Sequence, residues 1–223
     1  MKKKLRTAAE DIAARACDPA IVQRKLEFEQ GRLQRVESVR AELASLLREL
    51  RAVNIPARSA ADLKPTLIAS HPRAASLIIE HLQKAYSHDA RVIISRTLLT
   101  SEARSVWRGL VDLYRAESDR QVRSGLANAM VYAADDSVIG DVIDLVADPR
   151  YGTGRVLFLE ALDRSAVVVA RVALEAAARD SELREAALEF LHGTPQRLLP
   201  KRRPSRTDRS SSEPRATKKK PEP

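Results

Sequence analysis

Residues 148–155 read DPRYGTGR, and two glycines beside an arginine are a combination that can bind phosphate. The backbone N–H groups of a glycine-rich loop cradle a phosphate in proteins whose loop follows a β-strand and precedes Lys-Ser or Lys-Thr. Neither a strand pattern nor a following lysine accompanies Gly152 and Gly154. The sequence therefore predicts a turn between two helices, whose extra residues can bulge and offer a contact site.

The arginines of residues 104–123 make this stretch the most basic part of the central sequence. Residues four apart lie on the same helix face, and arginine forks bind phosphate through paired hydrogen bonds. The alternative is a solvated face that is balanced by the carboxylates of the same stretch. The candidate anion- or partner-binding residues are Arg104, Arg108, Arg115, Arg120 and Arg123.

No residue pattern in the sequence predicts catalysis, a metal site or a cofactor. The four histidines lack the spacing of an HExxH zinc site, and no Gly-x-Ser-x-Gly nucleophile motif occurs. Cys17 is the sole cysteine, which excludes an intramolecular disulfide and fits a reducing, cytoplasmic location. Because no stretch approaches about 18 consecutive apolar residues, a membrane span is not expected either.

The net charge of +9 is concentrated at the two ends of the sequence. Residues 2–6 carry four basic side chains, and residues 197–223 carry ten basic and three acidic ones. The remaining residues, 7–196, are nearly neutral, with 25 basic and 27 acidic side chains. The Pro- and Ser-rich segment 197–223 is predicted to be a disordered tail. Its basic clusters can contact nucleic acid, an acidic protein or anionic lipid, and the alternative is a solubilising tail.

Two helices are predicted at the start of the chain, over residues 3–17 and 19–53, with Asp18 as the cap of the second. In the second helix, apolar residues recur at three- and four-residue steps from Leu33 onward, which places them in one stripe. Such a stripe fits a coiled-coil dimer or packing against the chain's own helices. Gly31 and the imperfect steps favour intramolecular packing, and a homodimer through residues 19–53 is the alternative.

A repeat of about 30 residues begins at residue 89. Four arginines, at intervals of 32, 32 and 29 residues, each start an apolar helical face. A second helix is predicted after each of the first three, at 105–114, 137–146 and 165–178. This period in a helical sequence is typical of solenoids of stacked helix pairs. The four arginines are Arg91, Arg123, Arg155 and Arg184.

The segments DRQVRSGLANAM, DPRYGTGRVLFLEAL and DSELREAALEFL resemble short HEAT-like repeats of the phycobilisome-lyase type. In that family the first helix opens with Asp, two variable residues, Val and Arg. Residues 119–123 and 180–184 are similar to this pattern, whereas the third unit departs from it by the inserted YGTG. The resemblance covers residues 89–193 and implies structural links between successive units. The residues to which it gives that role are Asp119, Arg123, Arg155, Asp180 and Arg184.

We therefore predict an all-α fold with a HEAT-like α-solenoid of stacked helix pairs, an N-terminal helical extension and a disordered C-terminal tail. The predicted segments are 1–56 (N-terminal helices), 57–88 (a helical connector with helices near 60–70 and 73–86), 89–196 (repeats) and 197–223 (basic tail).

The predicted function is that of a non-enzymatic scaffold or adaptor that binds a protein partner along the repeat surface. Nucleic-acid binding through the basic termini and the arginine-rich helix is the second hypothesis, and it would be sensitive to salt. The HEAT-like alkylpurine DNA glycosylases are the third and least favoured. They need several aromatic residues and a carboxylate around a cleft, whereas Trp107 and Asp112 fall on different helix faces.

Overall fold

The computed structural model describes residues 18–193, and within that range the chain is helical without a strand. The all-α prediction is therefore confirmed for these residues. The helix expected at 3–17 and the tail expected at 197–223 lie outside the described residues. The chain divides into two compact units, the first ending at Ala60 and the second beginning at Ala61.

The first unit consists mainly of one long helix, α1 (Pro19–Ala52). As predicted, Asp18 caps this helix, because its side chain accepts a hydrogen bond of 2.9 Å from the N–H of Ala20. Pro19 occupies the first helical position, where a missing N–H costs nothing. The helix ends at Ala52, and Asn54, two residues later, has a left-handed φ of 62°.

The apolar stripe of α1 differs between its two halves. Leu33 and Val36 expose 57% and 55% of their surface, whereas Leu43, Leu46 and Leu50 are fully buried. The stripe is continuous in sequence, but only its second half is covered. The first half of α1 thus leaves large apolar side chains in contact with solvent.

The second unit contains nine shorter α-helices among the described residues. The predicted helix at 60–70 is replaced by a 3₁₀ turn and a short helix, because Pro65 starts the helix and forces Lys64 into an extended conformation. The helices are α2 (Pro65–Ser70), α3 (Ala74–Leu82), α4 (His88–Thr97), α5 (Trp107–Ala116), α6 (Arg120–Ala133), α7 (Ile139–Ala147), α8 (Val156–Arg164), α9 (Val168–Ala177) and α10 (Arg184–Leu191).

Helices α4, α6, α8 and α10 contact one another in succession. These are the helices that begin at or near the four repeated arginines. Helix α5 packs on α6, α7 packs on α8, and α9 lies against α7, α8 and α10. The core between them is built from fully buried aliphatic and aromatic side chains, such as Ile94, Met130 and Phe158.

The second helices of the repeat start later than the sequence predicts. A 3₁₀ helix at Ser101–Val106 precedes α5, and another at Asp136–Val138 precedes α7. Arg104 therefore lies in a 3₁₀ segment and not in the α-helix of Arg108, which corrects the expected i, i+4 pairing. Trp107, the first residue of α5, is 5% exposed and belongs to the core.

Candidate functional site

The DPRYGTGR segment forms a 3₁₀ helix, Pro149–Arg155, between α7 and α8. Asp148 caps it by accepting a hydrogen bond of 3.0 Å from the N–H of Arg150. Gly152 interrupts it with a φ of 52°, a conformation in which side chains are strained and glycine is not. The predicted turn between two helices is thus confirmed.

This turn and helix α6 form the two walls of a cleft with a volume of about 550 Å³. The buried side chains of Tyr114 and Ala127 line its inner part. Arginines from both walls stand at its exposed or half-buried rim, together with the hydroxyl side chains of Ser124 and Thr153. These arginines are Arg120 and Arg123 on α6 and Arg150 on the turn.

The charges at the rim of this cleft are only partly neutralised. Arg150 makes an ion pair of 2.6 Å with Asp148, and this hydrogen bonding lowers the pKa of the Asp148 carboxyl. The guanidinium of Arg123 donates to the backbone carbonyl of Glu117 at 2.8 Å, and within residues 18–193 it forms no ion pair with a carboxylate. Arg120 is exposed to solvent. Three guanidinium groups therefore face one carboxylate, and the cleft is cationic.

Aromatic rings pack behind the arginines of the cleft. The ring of Tyr114 lies 4.8 Å from that of Tyr151 and 5.3 Å from that of Phe158, measured between centroids. Burial raises the pKa of Tyr114 to about 12, so its hydroxyl stays protonated at neutral pH. Tyr151 is half-buried, and the Arg150 guanidinium lies 5.8 Å from the centre of its ring. The cleft thus combines cationic groups with an aromatic wall.

The five arginines predicted to bind an anion or partner are not brought together. Arg120 and Arg123 line the cleft, and Arg115 is near enough to Asp148 to lower the pKa of that carboxyl. Arg104 and Arg108 line a separate groove beside α3. Arg104 also forms an ion pair with Asp135.

Trp107 is held by a hydrogen bond rather than presented as a stacking platform. Its indole N–H donates to Asp141 at 2.7 Å, and its ring is buried. A base-stacking aromatic, as a DNA glycosylase site would use, has to be accessible to the base. The position of Trp107 therefore adds no support to the glycosylase hypothesis.

Arg155 is a buried side chain that bonds to several segments of the chain. Its side chain is 2% exposed and donates to Asp180 at 2.8 Å and to Glu182 at 2.7 Å. It also donates to the backbone carbonyls of Val146 and Gly152, both at 3.0 Å. A single guanidinium thus joins the end of α7, the turn and the segment that precedes α10.

The other repeat residues make different contacts. Arg91 pairs with the buried Glu117, whose backbone carbonyl accepts from Arg123. Asp119 caps α6 through the N–H groups of Gln121 and Val122, and it also bonds His88. That bond raises the pKa of His88 and lowers the pKa of Asp119.

Asp180 accepts from Arg155, whereas the side chain of Arg184 is exposed at the start of α10. The repeated arginines therefore have unequal roles, and Arg155 is the most enclosed of the structural residues that the resemblance implies.

Helix α9 exposes an apolar face. Val168, Val169 and Val172 expose 76%, 53% and 58% of their surface, while Ala170 and Leu174 on the opposite side of the helix are buried. Valine is a poor helix former, and its exposure contributes nothing to folding. Contiguous exposed apolar residues are typical of protein contact sites.

Several of these residues were not singled out in the sequence. Arg150, Tyr151 and Thr153 belong to the segment that the sequence identifies as a turn. The signal that pointed to them was the expectation that the extra residues of this turn can offer a contact site. Glu117 stands two residues before Asp119, and Glu182 stands two residues after Asp180. Their distances from Arg91 and Arg155 are 26 and 27 residues, and this similar spacing was the signal for them.

Among residues 18–193, no group of three metal-ligating side chains converges, and no helix has the length and apolar character to cross a membrane. Comparison with known proteins gives no relative: no family model, curated protein or solved structure matches the chain.

Proposed function

We propose that this protein is a non-enzymatic interaction scaffold, built as a HEAT-like solenoid from the helix pairs of residues 89–193. The succession of contacts from α4 through α6 and α8 to α10 supports the solenoid, because stacked repeats contact their neighbours in order. The single observation that carries the scaffold function is the exposed valine face of α9, formed by Val168, Val169 and Val172.

The valine face fits an amphipathic helix of a partner protein. Val169, Val172 and Ala176 are spaced by three and four residues, so they form one ridge along α9. Ridges of this kind pack into the groove of a second helix, and helix-in-groove recognition uses anchors at the same spacing. The exposed ion pair between Arg171 and Glu175 borders the ridge and supplies a polar rim.

The proposal is tested by affinity capture, in which the proteins that bind the immobilised full-length chain are compared with those that bind the Val169→Asp/Val172→Asp variant. A partner is expected to bind the wild-type chain and Val53→Asp, since Val53 is 52% exposed and lies just after α1, away from the valine face in the sequence. A charge buried in the contact should weaken binding of that purified partner at least about tenfold in the double variant. Equal affinity for all three chains, or a retained set that does not change, would contradict the scaffold function.

A second copy of the chain is the partner that we propose for the first half of α1. The seam that continues from the buried Leu43 includes the exposed Val22, Leu26, Leu33 and Val36, in alternating steps of three and four. The two remaining positions of this seam are Glu29 and Arg40, whose side chains carry opposite charges.

These charges favour an antiparallel arrangement of two α1 helices. If Leu33 lies opposite Val36 of the second copy, then Glu29 lies opposite Arg40 of the second copy, by the same register. A parallel pair would instead place Glu29 opposite Glu29, which is repulsive. The charged positions thus select one orientation.

We expect sedimentation equilibrium to show a dimer for the full-length chain and a monomer for Leu33→Asp. Phe28→Asp is the matched control, because Phe28 is 62% exposed but lies about 140° around the helix from Leu33. This control should remain dimeric. A monomeric wild-type chain, or equal dissociation by both variants, would show that α1 does not self-associate.

A further inference from the structure

The arginine-lined cleft between α6 and the 149–155 turn has the composition of a ligand site and lies on different elements from the valine face. Its volume of about 550 Å³ is within the range of small-molecule sites, which is roughly 300–1,000 Å³. Such sites combine an apolar or aromatic interior with a few convergent polar groups. Here Tyr114 and Ala127 supply the interior, and the arginines supply the polar groups.

The distribution of charge around the cleft favours an anion. Arg120, Arg123 and Arg150 belong to two different elements and line the same volume. Asp148 neutralises one guanidinium charge through its pair with Arg150, so the lining keeps a net charge of about +2. The nearby Glu117 carboxylate is occupied by Arg91 on α4. A phosphate group carries a matching charge and accepts the paired hydrogen bonds that arginine donates.

The repeat pattern explains why these arginines are available. Arg91 and Arg155 each pair with an acidic residue 25 to 27 positions later. Asp148 stands at the corresponding 25-residue distance from Arg123, but it is bound by Arg150 instead. Arg123 donates to a neutral carbonyl and keeps its charge at the cleft.

We propose that this cleft binds a small organic phosphate ester. The phosphate lies between Arg120 and Arg150 at the rim, and the body of the ligand lies along Tyr151. Tyr151 is half-buried and lines the cleft, so its ring is within reach of a base or another planar group. Arg123, fixed by its bond to the Glu117 carbonyl, contributes charge from the inner side.

The test is calorimetric titration of the full-length chain with adenosine monophosphate, adenosine and inorganic phosphate. We expect saturable binding of the monophosphate tighter than about 1 mM, and binding at least about tenfold weaker for the other two. Arg120→Gln/Arg150→Gln should weaken monophosphate binding at least about tenfold, because both side chains are exposed and the substitution removes rim charge. Arg108→Gln, an exposed arginine in the separate groove, should stay within about twofold of wild type.

Four results would overturn the proposal. The first is the absence of saturable monophosphate binding. The second is binding of adenosine or of inorganic phosphate as tight as that of the monophosphate. Equal binding of adenosine would show that the phosphate is not recognised, and equal binding of inorganic phosphate would show that the organic part is not recognised. The third is an equal loss in Arg108→Gln, which would show a nonspecific charge effect. The fourth is tighter binding of a single-stranded oligonucleotide that also depends on Arg120 and Arg150, which would assign the cleft to nucleic acid.

Discussion

Replacing Arg155 with methionine is expected to lower the free energy of unfolding by about 3 kcal/mol. The substitution keeps the aliphatic stem but removes every donor of a side chain that is 2% exposed. The carbonyls of Val146 and Gly152 then lose their hydrogen bonds, and the carboxylates of Asp180 and Glu182 lose their counter-charge. The cost falls mainly on the two carbonyls, which lose their donor inside the protein, because the side chains of Asp180 and Glu182 are 29% and 45% exposed and water can solvate them.

Arg184→Met is the matched control for this prediction. Arg184 occupies the next position of the same repeat series, but its side chain is exposed at the start of α10. Its replacement should change the free energy of unfolding by about 0.5 kcal/mol or less. Urea unfolding followed by circular dichroism measures both values, provided that the slope with denaturant is unchanged. If the free energies of unfolding of the two variants differ by less than about 1 kcal/mol, the contacts of Arg155 do not contribute the expected stability.

The helical fold was accessible from the sequence because its signals are local. Asp18 and Pro19 mark the start of α1, and the alternating three- and four-residue steps mark its apolar stripe. The 3₁₀ segments were not accessible in this way. Six residues, as in Ser101–Val106, are too few to separate a period of 3.0 from a period of 3.6, so the start of α5 was placed two residues early.

The candidate site was only half accessible from the sequence. Local basicity identified Arg120 and Arg123, because they stand in the most basic stretch of the central sequence. Arg150 joins them only because the fold places the turn across the cleft from α6, an arrangement of distant segments that no local pattern encodes. The exposed faces of α1 and α9 were hidden for a similar reason, since an apolar stripe looks the same whether or not another helix covers it.

Two helical glycines, Gly125 in α6 and Gly140 as the second residue of α7, predict opposite stability effects for the same substitution. A Cβ added at Gly125 of α6 would lie 2.6 Å from the Oγ and 3.3 Å from the Cβ of Ser95 on α4, whereas a Cβ added at Gly140 of α7 meets nothing within 4 Å. Alanine is a better helix former than glycine by about 1 kcal/mol, so Gly140→Ala should stabilise the protein by about 0.5–1 kcal/mol.

Gly125→Ala should instead destabilise the protein by about 1–3 kcal/mol, because overpacking at a helix contact outweighs the gain in helix propensity. Ser95 is fully buried, and its hydroxyl donates to the Val92 carbonyl at 3.0 Å, so it cannot move aside without losing that bond. Adding Ser95→Ala removes the nearest clashing atom, and the double variant should recover much of the loss in a double-mutant cycle. If the changes in the free energy of unfolding of the two substitutions are additive, or if Gly125→Ala does not lower it, then α4 and α6 do not approach each other this closely in solution.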